Sequence, residues 1–245
     1  MKLYGLIGEK LGHSFSKKYF TEKFENEKID AQYNLYELPN ITEFPSLLAR
    51  NEFDGLNVTI PYKEKIICYL DELDTIAKEV GAVNTIRFKR YGGRTHIKGY
   101  NTDVIGFTNS IKPLLQPHHK HALILGTGGA SKAVAFSLSR MGIEYKFVSR
   151  NGNFDSFTYP QITKDIIDKY EVIVNCTPVG MYPKTDIAPG IPFQHLTNKH
   201  LLFDLIYNPE KTLFCQLGEE HGATVKNGLE MLHGQATAAW FIWNK

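Results

Sequence analysis

The chain has 245 residues, 42% hydrophobic and 22% charged, which is enough to bury one large core or two modest ones. Lysine and arginine (28) nearly cancel aspartate and glutamate (26), so no net charge drives the molecule onto nucleic acid or an anionic membrane. Cys68, Cys176 and Cys215 are odd in number, far apart and without a CxxC pairing, which argues against a disulfide framework or structural zinc and fits a reducing, cytoplasmic setting.

Short apolar runs alternate with helical patterns along the chain, the signature of an α/β fold with a largely parallel sheet. The start, 1–8, reads as a strand, with neither the basic and apolar blocks of a signal peptide nor a run long enough to span a bilayer. Strands are expected over 3–7, 32–38 and 55–58, with helices over 16–28 and 41–51 between them. Pro61 suits the first turn of a helix leaving the third strand, and two helical stretches follow it. Extended patterns over 82–88 and 95–99 flank Gly92 and Gly93, which supply the positive φ of a tight hairpin turn. A helix over 104–115 and a polar linker, 116–120, lead to an apolar strand at 122–125. Further strands are expected at 146–149, 172–175 and 201–205. The last helix, from about 228, carries apolar Leu229, Leu232, Ala236 and Ala239 to Phe241.

The strand at 122–125 runs into Gly126, Thr127, Gly128, Gly129, Ala130 and Ser131, then into a helix with Ala130, Val134, Leu138 and Met141 three or four apart. Strand, glycine loop and helix in this order cradle a pyrophosphate: glycines let the backbone approach the phosphates, and the helix N-terminus stabilises their charge. Tight turns need glycine for backbone reasons alone, so the loop gains its weight from context. At the end of the next strand, where an acidic residue would bind a ribose 2′-hydroxyl, stand Ser149, Arg150 and Asn151. A hydroxyl, a guanidinium and an amide suit a 2′-phosphate, which favours NADP over NAD; a solvated strand-end arginine is the competing reading.

Lys63 lies at the carboxyl end of the first sheet, the edge where open α/β folds place ligands, although an ordinary surface lysine is the simpler reading of the residue type. Asn101, Thr102 and Asp103 open the helix that follows the hairpin and are equally good N-cap residues. Asn84 interrupts an apolar strand and needs a partner if buried.

With His13, Ser14, Phe15 and Ser16 after the first strand, these segments carry a resemblance to the shikimate dehydrogenase family. The matching pieces are Ser14 and Ser16, 57–63, 81–85, 99–103, 126–131, 175–177 and 227–235, in register over nearly the whole chain. The resemblance implies reversible hydride transfer between NADPH and 3-dehydroshikimate, giving shikimate and NADP, with no metal. It implies that Lys63 and Asp103 form the catalytic pair and that Ser14 and Ser16, with Tyr207, hold the substrate carboxylate. Thr59, Asn84 and Gln235 would bind ring hydroxyls. Gly126 to Ser131, Ser149, Arg150, Asn151 and Thr177 would hold the cofactor, with Gly228 and Met231 near the nicotinamide. A ketone reduction needs a proton delivered to the developing alkoxide, which an ammonium can both stabilise and supply.

The implied architecture is an α/β substrate domain with a mixed sheet, 1–102 and 228–245, and a Rossmann-like NADP-binding domain, 103–227. The last helix returns to the first domain, so two crossings would make a hinge. The expected partner is a small molecule, not nucleic acid or membrane, for a monomer or homodimer. The chain stops soon after Trp243, where relatives are expected to continue into another helix, and 151–169 looks compact. No second arginine follows Arg150, only Gly152, Asn153 and Phe154, which weakens the expected 2′-phosphate clamp. His118, His119 and His121 lie in a polar linker without a carboxylate or cysteine at ligand spacing. The competing functions are a quinate-oxidising relative and a non-catalytic NADP-binding regulator; a folate dehydrogenase would leave the serine pair without a role.

Overall fold

The computed structural model describes residues 1–12, 14–152 and 156–245, so His13, Asn153, Phe154 and Asp155 lie outside the described residues. The chain divides into two compact units, Met1–Thr102 with Gln235–Lys245, and Asp103–Gly234.

In the first unit the order is β1 (Lys2–Gly8), α1 (Phe15–Asn26), β2 (Ala31–Glu37), α2 (Phe44–Arg50), β3 (Gly55–Val58), β4 (Glu72–Leu73), α3 (Thr75–Val80), β5 (Thr85–Tyr91) and β6 (Arg94–Tyr100). They form a mixed sheet ordered β2-β1-β3-β5-β6-β4, with β1 parallel to β2 and β3, and β5 antiparallel to both β3 and β6. Gly92 and Gly93 make the β5–β6 turn with φ of 53° and 81°. One face packs Ile7, Phe44, Leu56, Ile66 and Ile86 into a core. The other packs Tyr4, Phe20, Phe24 and Tyr33 against Ala236, Ala239 and Trp243. Trp243 closes that face and donates from its indole Nε1 to the Ile86 carbonyl at 2.9 Å.

The second unit runs α4 (Asp103–Ile111), β7 (His121–Leu125), α5 (Gly129–Arg140), β8 (Glu144–Ser149), β9 (Ser156–Thr158), α6 (Lys164–Lys169), β10 (Val172–Asn175), β11 (Leu201–Asp204), α7 (Leu213–Glu220), β12 (Thr224–Lys226) and the start of α8 (Leu229–Trp243). Its six strands are all parallel, in the order β12-β11-β10-β7-β8-β9. The central strands β10 and β11 are buried throughout, as expected of a parallel sheet covered on both faces.

One local expectation needs correction, and two local features were not legible in the sequence. Pro61 does not open a helix: Ile60 and Pro61 form a turn with a cis peptide bond, and a 3₁₀ helix begins only at Lys65. The Tyr62 hydroxyl donates to the Leu38 carbonyl and fixes this turn against the core. In α8 the inward residues are Met231, Ala236, Ala239 and Trp243, while Leu229 and Phe241 are exposed. The short strands β4, β9 and β12 lack a run long enough to show a period of two. Among the described residues no helix is long and apolar enough to cross a membrane.

Candidate active site

In the first unit Ser14 and Ser16 follow β1, Thr59 and Lys63 follow β3, Asn84 lies just before β5 and Gln235 is on α8, while Tyr207, the other predicted substrate residue, lies in the second unit. Ser14 caps α1, its Oγ accepting from the Lys17 amide at 3.4 Å, which leaves the hydroxyl proton to donate elsewhere. Ser16, one residue into α1, is hydrogen bonded to the Tyr33 phenol. Burial pushes that phenol well above its ordinary pKa, so it stays a donor. It donates to Asn57 Oδ1 at 2.8 Å. Asn57 Nδ2 in turn donates to the Asn84 carbonyl (3.3 Å) and to Thr85 Oγ1 (3.2 Å).

Asn84 is the centre of this network and is 2% exposed; it lies in the bend before β5 and not within a strand as expected, and its burial is met by the partners that follow. Its Oδ1 accepts from the Thr102 amide (2.7 Å), the Thr102 hydroxyl (3.1 Å) and the Thr85 hydroxyl (3.2 Å). Three donors on one oxygen fix the carboxamide, so its Nδ2 faces the other way and donates to Gln235 Oε1 at 3.0 Å. With that oxygen engaged, Gln235 has its own Nε2 left to donate. Thr59 and Lys63 sit in the turn after β3, both half-buried. The Lys63 carbonyl accepts from the Val83 amide at 2.7 Å, which pins the lysine backbone beside Asn84. Asn101 is a buried anchor, its Nδ2 bonded to the Ala82 carbonyl. Asp103 follows directly as the first residue of α4 and is 1% exposed; the positive end of a helix dipole favours a carboxylate there.

In the second unit the cofactor candidates lie at the carboxyl ends of β7, β8 and β10. Gly126 adopts φ of 101°, and a Cβ there would lie 3.0 Å from the Thr177 methyl, so only glycine lets this backbone pass. Thr127 and Gly128 are exposed. No side chain caps α5 at Gly128 among the described residues, which leaves first-turn N–H groups for a ligand. Ser131 is instead turned inward, donating to the Gly128 carbonyl at 2.6 Å. Ser149 Oγ accepts from the Gly152 amide at 3.1 Å, and Arg150 and Asn151 are exposed beside it.

Thr177 is positioned by residues whose part was not legible in sequence. Asn175 Oδ1 accepts from the Thr177 amide (3.0 Å) and hydroxyl (2.7 Å), while its Nδ2 donates to Asp204 Oδ1 at 3.0 Å. Asp204 also accepts from the Ile206 amide (3.0 Å) and the Thr212 hydroxyl (2.6 Å). Burial nevertheless raises its carboxyl to about 6. Tyr207 is half-buried in the segment after β11. Gly228 is needed for a close approach, because a Cβ there would lie 2.1 Å from the Leu205 carbonyl oxygen. Met231 packs into the core with Phe107, Ile124 and Phe203. Of the histidines, His119 is bonded to the Gln116 amide and the Lys199 carbonyl, and burial lowers its pKa.

Residues 6–86 match the family model described as the shikimate dehydrogenase substrate binding domain. A relative from Methanosphaera stadtmanae, named shikimate dehydrogenase (NADP(+)), is 36% identical across 98% of this chain and 90% of its own length. The crystal structure of shikimate dehydrogenase 1 from Peptoclostridium difficile is 37% identical with a TM-score of 0.86, covering 100% of this chain and 92% of that one. A shikimate 5-dehydrogenase from Thermus thermophilus, solved in complex with NADP(H) and shikimate, is 29% identical with a TM-score of 0.81, covering 99% and 93%.

Proposed function

The chain belongs to the shikimate dehydrogenase family, and we propose that it catalyses the reversible NADP-dependent reduction of 3-dehydroshikimate to shikimate in the cytoplasm. The observation that carries this reading is the fixed Asn84–Gln235 amide pair beside the Lys63 turn, a preformed set of donors suited to a polyhydroxy ring.

NADP supplies the hydride donor or acceptor when bound, and the residues of the second unit fit it: an uncapped α5 N-terminus and a glycine-tight loop for the pyrophosphate, with Ser149, Arg150 and Asn151 for the 2′-phosphate. Gly228 borders the same edge in this reading, Met231 contributes through the packing beneath it, and Tyr207 keeps its expected part at the substrate carboxylate. Ser14, whose proton is uncommitted, donates to the substrate carboxylate, and Ser16 joins it by turning from Tyr33. Thr59, Asn84 and Gln235 hold the ring hydroxyls. The Lys63 ammonium delivers a proton to the oxygen that develops negative charge during reduction and takes it back in oxidation, with the Asp103 carboxylate as its acidic partner.

The test is NADPH formation by the purified protein with shikimate and NADP, beside parallel reactions with NAD and with quinate. Turnover that favours shikimate and NADP supports the assignment. Turnover with quinate alone makes it a quinate dehydrogenase, and none with any pair makes it a binding protein.

A further inference from the structure

The adenosine end of the cofactor site raises a specificity question, because Arg150 has no second arginine close behind it in the sequence. A lone guanidinium, 2′-phosphate on one side and solvent on the other, is a weak discriminator between NADP and NAD. The fold brings a different group to it. Ser149 and Thr158 are register partners in the β8–β9 pair, so the residue after Thr158 comes up beside the residue after Ser149. Those residues are Tyr159 and Arg150.

Tyr159 is held there by its backbone. Thr158 and Gln161 form a capping box around the 3₁₀ turn Tyr159–Gln161, and Pro160 stiffens it. The Gly152 backbone packs on the Thr158 methyl, so the end of β8 and the start of this turn are in contact. The half-buried Tyr159 ring rests against the core that contains Leu125, Val148 and Ile162. Its hydroxyl is within electrostatic reach of both Arg150 and Cys176. The Cys176 backbone in turn lies against Gly126 of the glycine loop. The phenol is therefore within reach of both the arginine and the residue that flanks the phosphate loop, near the path the ribose of a dinucleotide on this loop takes. The phenol carries its proton at neutral pH, the more so because burial raises its pKa, so the group is a donor.

We propose that Tyr159 is a cofactor-specificity residue of this chain, its hydroxyl donating a hydrogen bond to the 2′-phosphate of NADP alongside Arg150. The proposal rests on the assignment of this loop to NADP. A neutral donor adds direction to the single guanidinium without the cost of bringing a second like charge next to it.

The test is calorimetric and independent of turnover. Wild type, Tyr159→Phe and Arg150→Ala are titrated with adenosine 2′,5′-bisphosphate and with 5′-ADP. The phenylalanine variant keeps the ring and its packing, and it is expected to bind the 2′-phosphorylated ligand about tenfold more weakly, as for loss of a hydrogen bond to a charged group, with 5′-ADP unchanged. An unchanged affinity for adenosine 2′,5′-bisphosphate in Tyr159→Phe, or an equal loss for both ligands, overturns the role of the hydroxyl. A wild type that does not favour the 2′-phosphorylated ligand overturns the NADP assignment itself and this inference with it; Arg150→Ala, weakened for that ligand alone, shows that the assignment holds.

Discussion

Under the proposed function, the two units would meet their ligands by different means. In the first, the polar groups at the sheet edge are side chains already bonded to one another: Tyr33 to Asn57, Asn57 to Thr85, Thr85 and Thr102 to Asn84, and Asn84 to Gln235. In the second, the surface proposed for the pyrophosphate is main chain, a glycine loop and a helix end without a side-chain cap among the described residues, with Asn175 and Asp204 standing behind it and the side chains proposed for the 2′-phosphate kept to the end of β8 and the turn after β9. A ring with several hydroxyls has to be read in detail, and a prearranged amide network does this without ordering cost at binding. A pyrophosphate needs only charge stabilisation and close approach, which backbone supplies irrespective of neighbouring side chains.

Substitutions that act on one unit and spare the other sharpen this contrast. Lys63→Ala is expected to have the largest effect, lowering kcat by about a hundredfold or more through loss of proton transfer, while the KM for NADP holds. Steady-state kinetics with each substrate varied in turn checks it. Asn84→Ala strips the partner from the Thr102 amide and from Gln235; it should cost about 2 kcal/mol in a urea titration and raise the KM for shikimate about tenfold. Gly126→Ala forces an L-residue into φ of 101° against Thr177 and is expected to raise the KM for NADP about tenfold with the shikimate KM unmoved.

Asp204→Asn should disturb turnover least and act on stability. The Asp204 carboxyl lies at about 6 in the folded chain against an ordinary 3.8. The folded state thus holds its proton more tightly than the unfolded one, so stability is fully present below 3.8 and falls as pH rises through 6. Relative to the asparagine variant, wild type is expected to lose on the order of 3 kcal/mol between about pH 4 and about pH 7. Urea midpoints of both proteins across that range check the slope; parallel curves would mean that the carboxyl does not titrate there.

Much of the architecture was legible because periodicity reports burial. The runs at 55–58 and 172–175 match β3 and β10 residue for residue, since each follows an acidic residue, Asp54 or Glu171, and is almost wholly buried. The 3₁₀ segment after Pro61 departs from expectation because the same residues satisfy a helical pattern, and the Tyr62 bond to Leu38 that decides the turn is a tertiary contact. Leu229 and Phe241 fall on the outer side of α8 for a related reason: the helix is apolar nearly all round, so pattern alone does not choose a face. At the sites, Asn84 and Gly126 announced themselves, one as a polar residue in an apolar run and the other as a glycine between strand and helix. Asn57, Thr85, Asn175 and Asp204 did not, because each acts through hydrogen bonds to residues on other strands that only the sheet order brings near.

The division of labour between the units is tested most directly by titrating Asn84→Ala calorimetrically with shikimate and, separately, with NADP. The account predicts a weaker affinity for shikimate and a wild-type affinity for NADP. An equal loss for both ligands would contradict it, and would mean that the amide network serves the fold as a whole and not the recognition of one ligand.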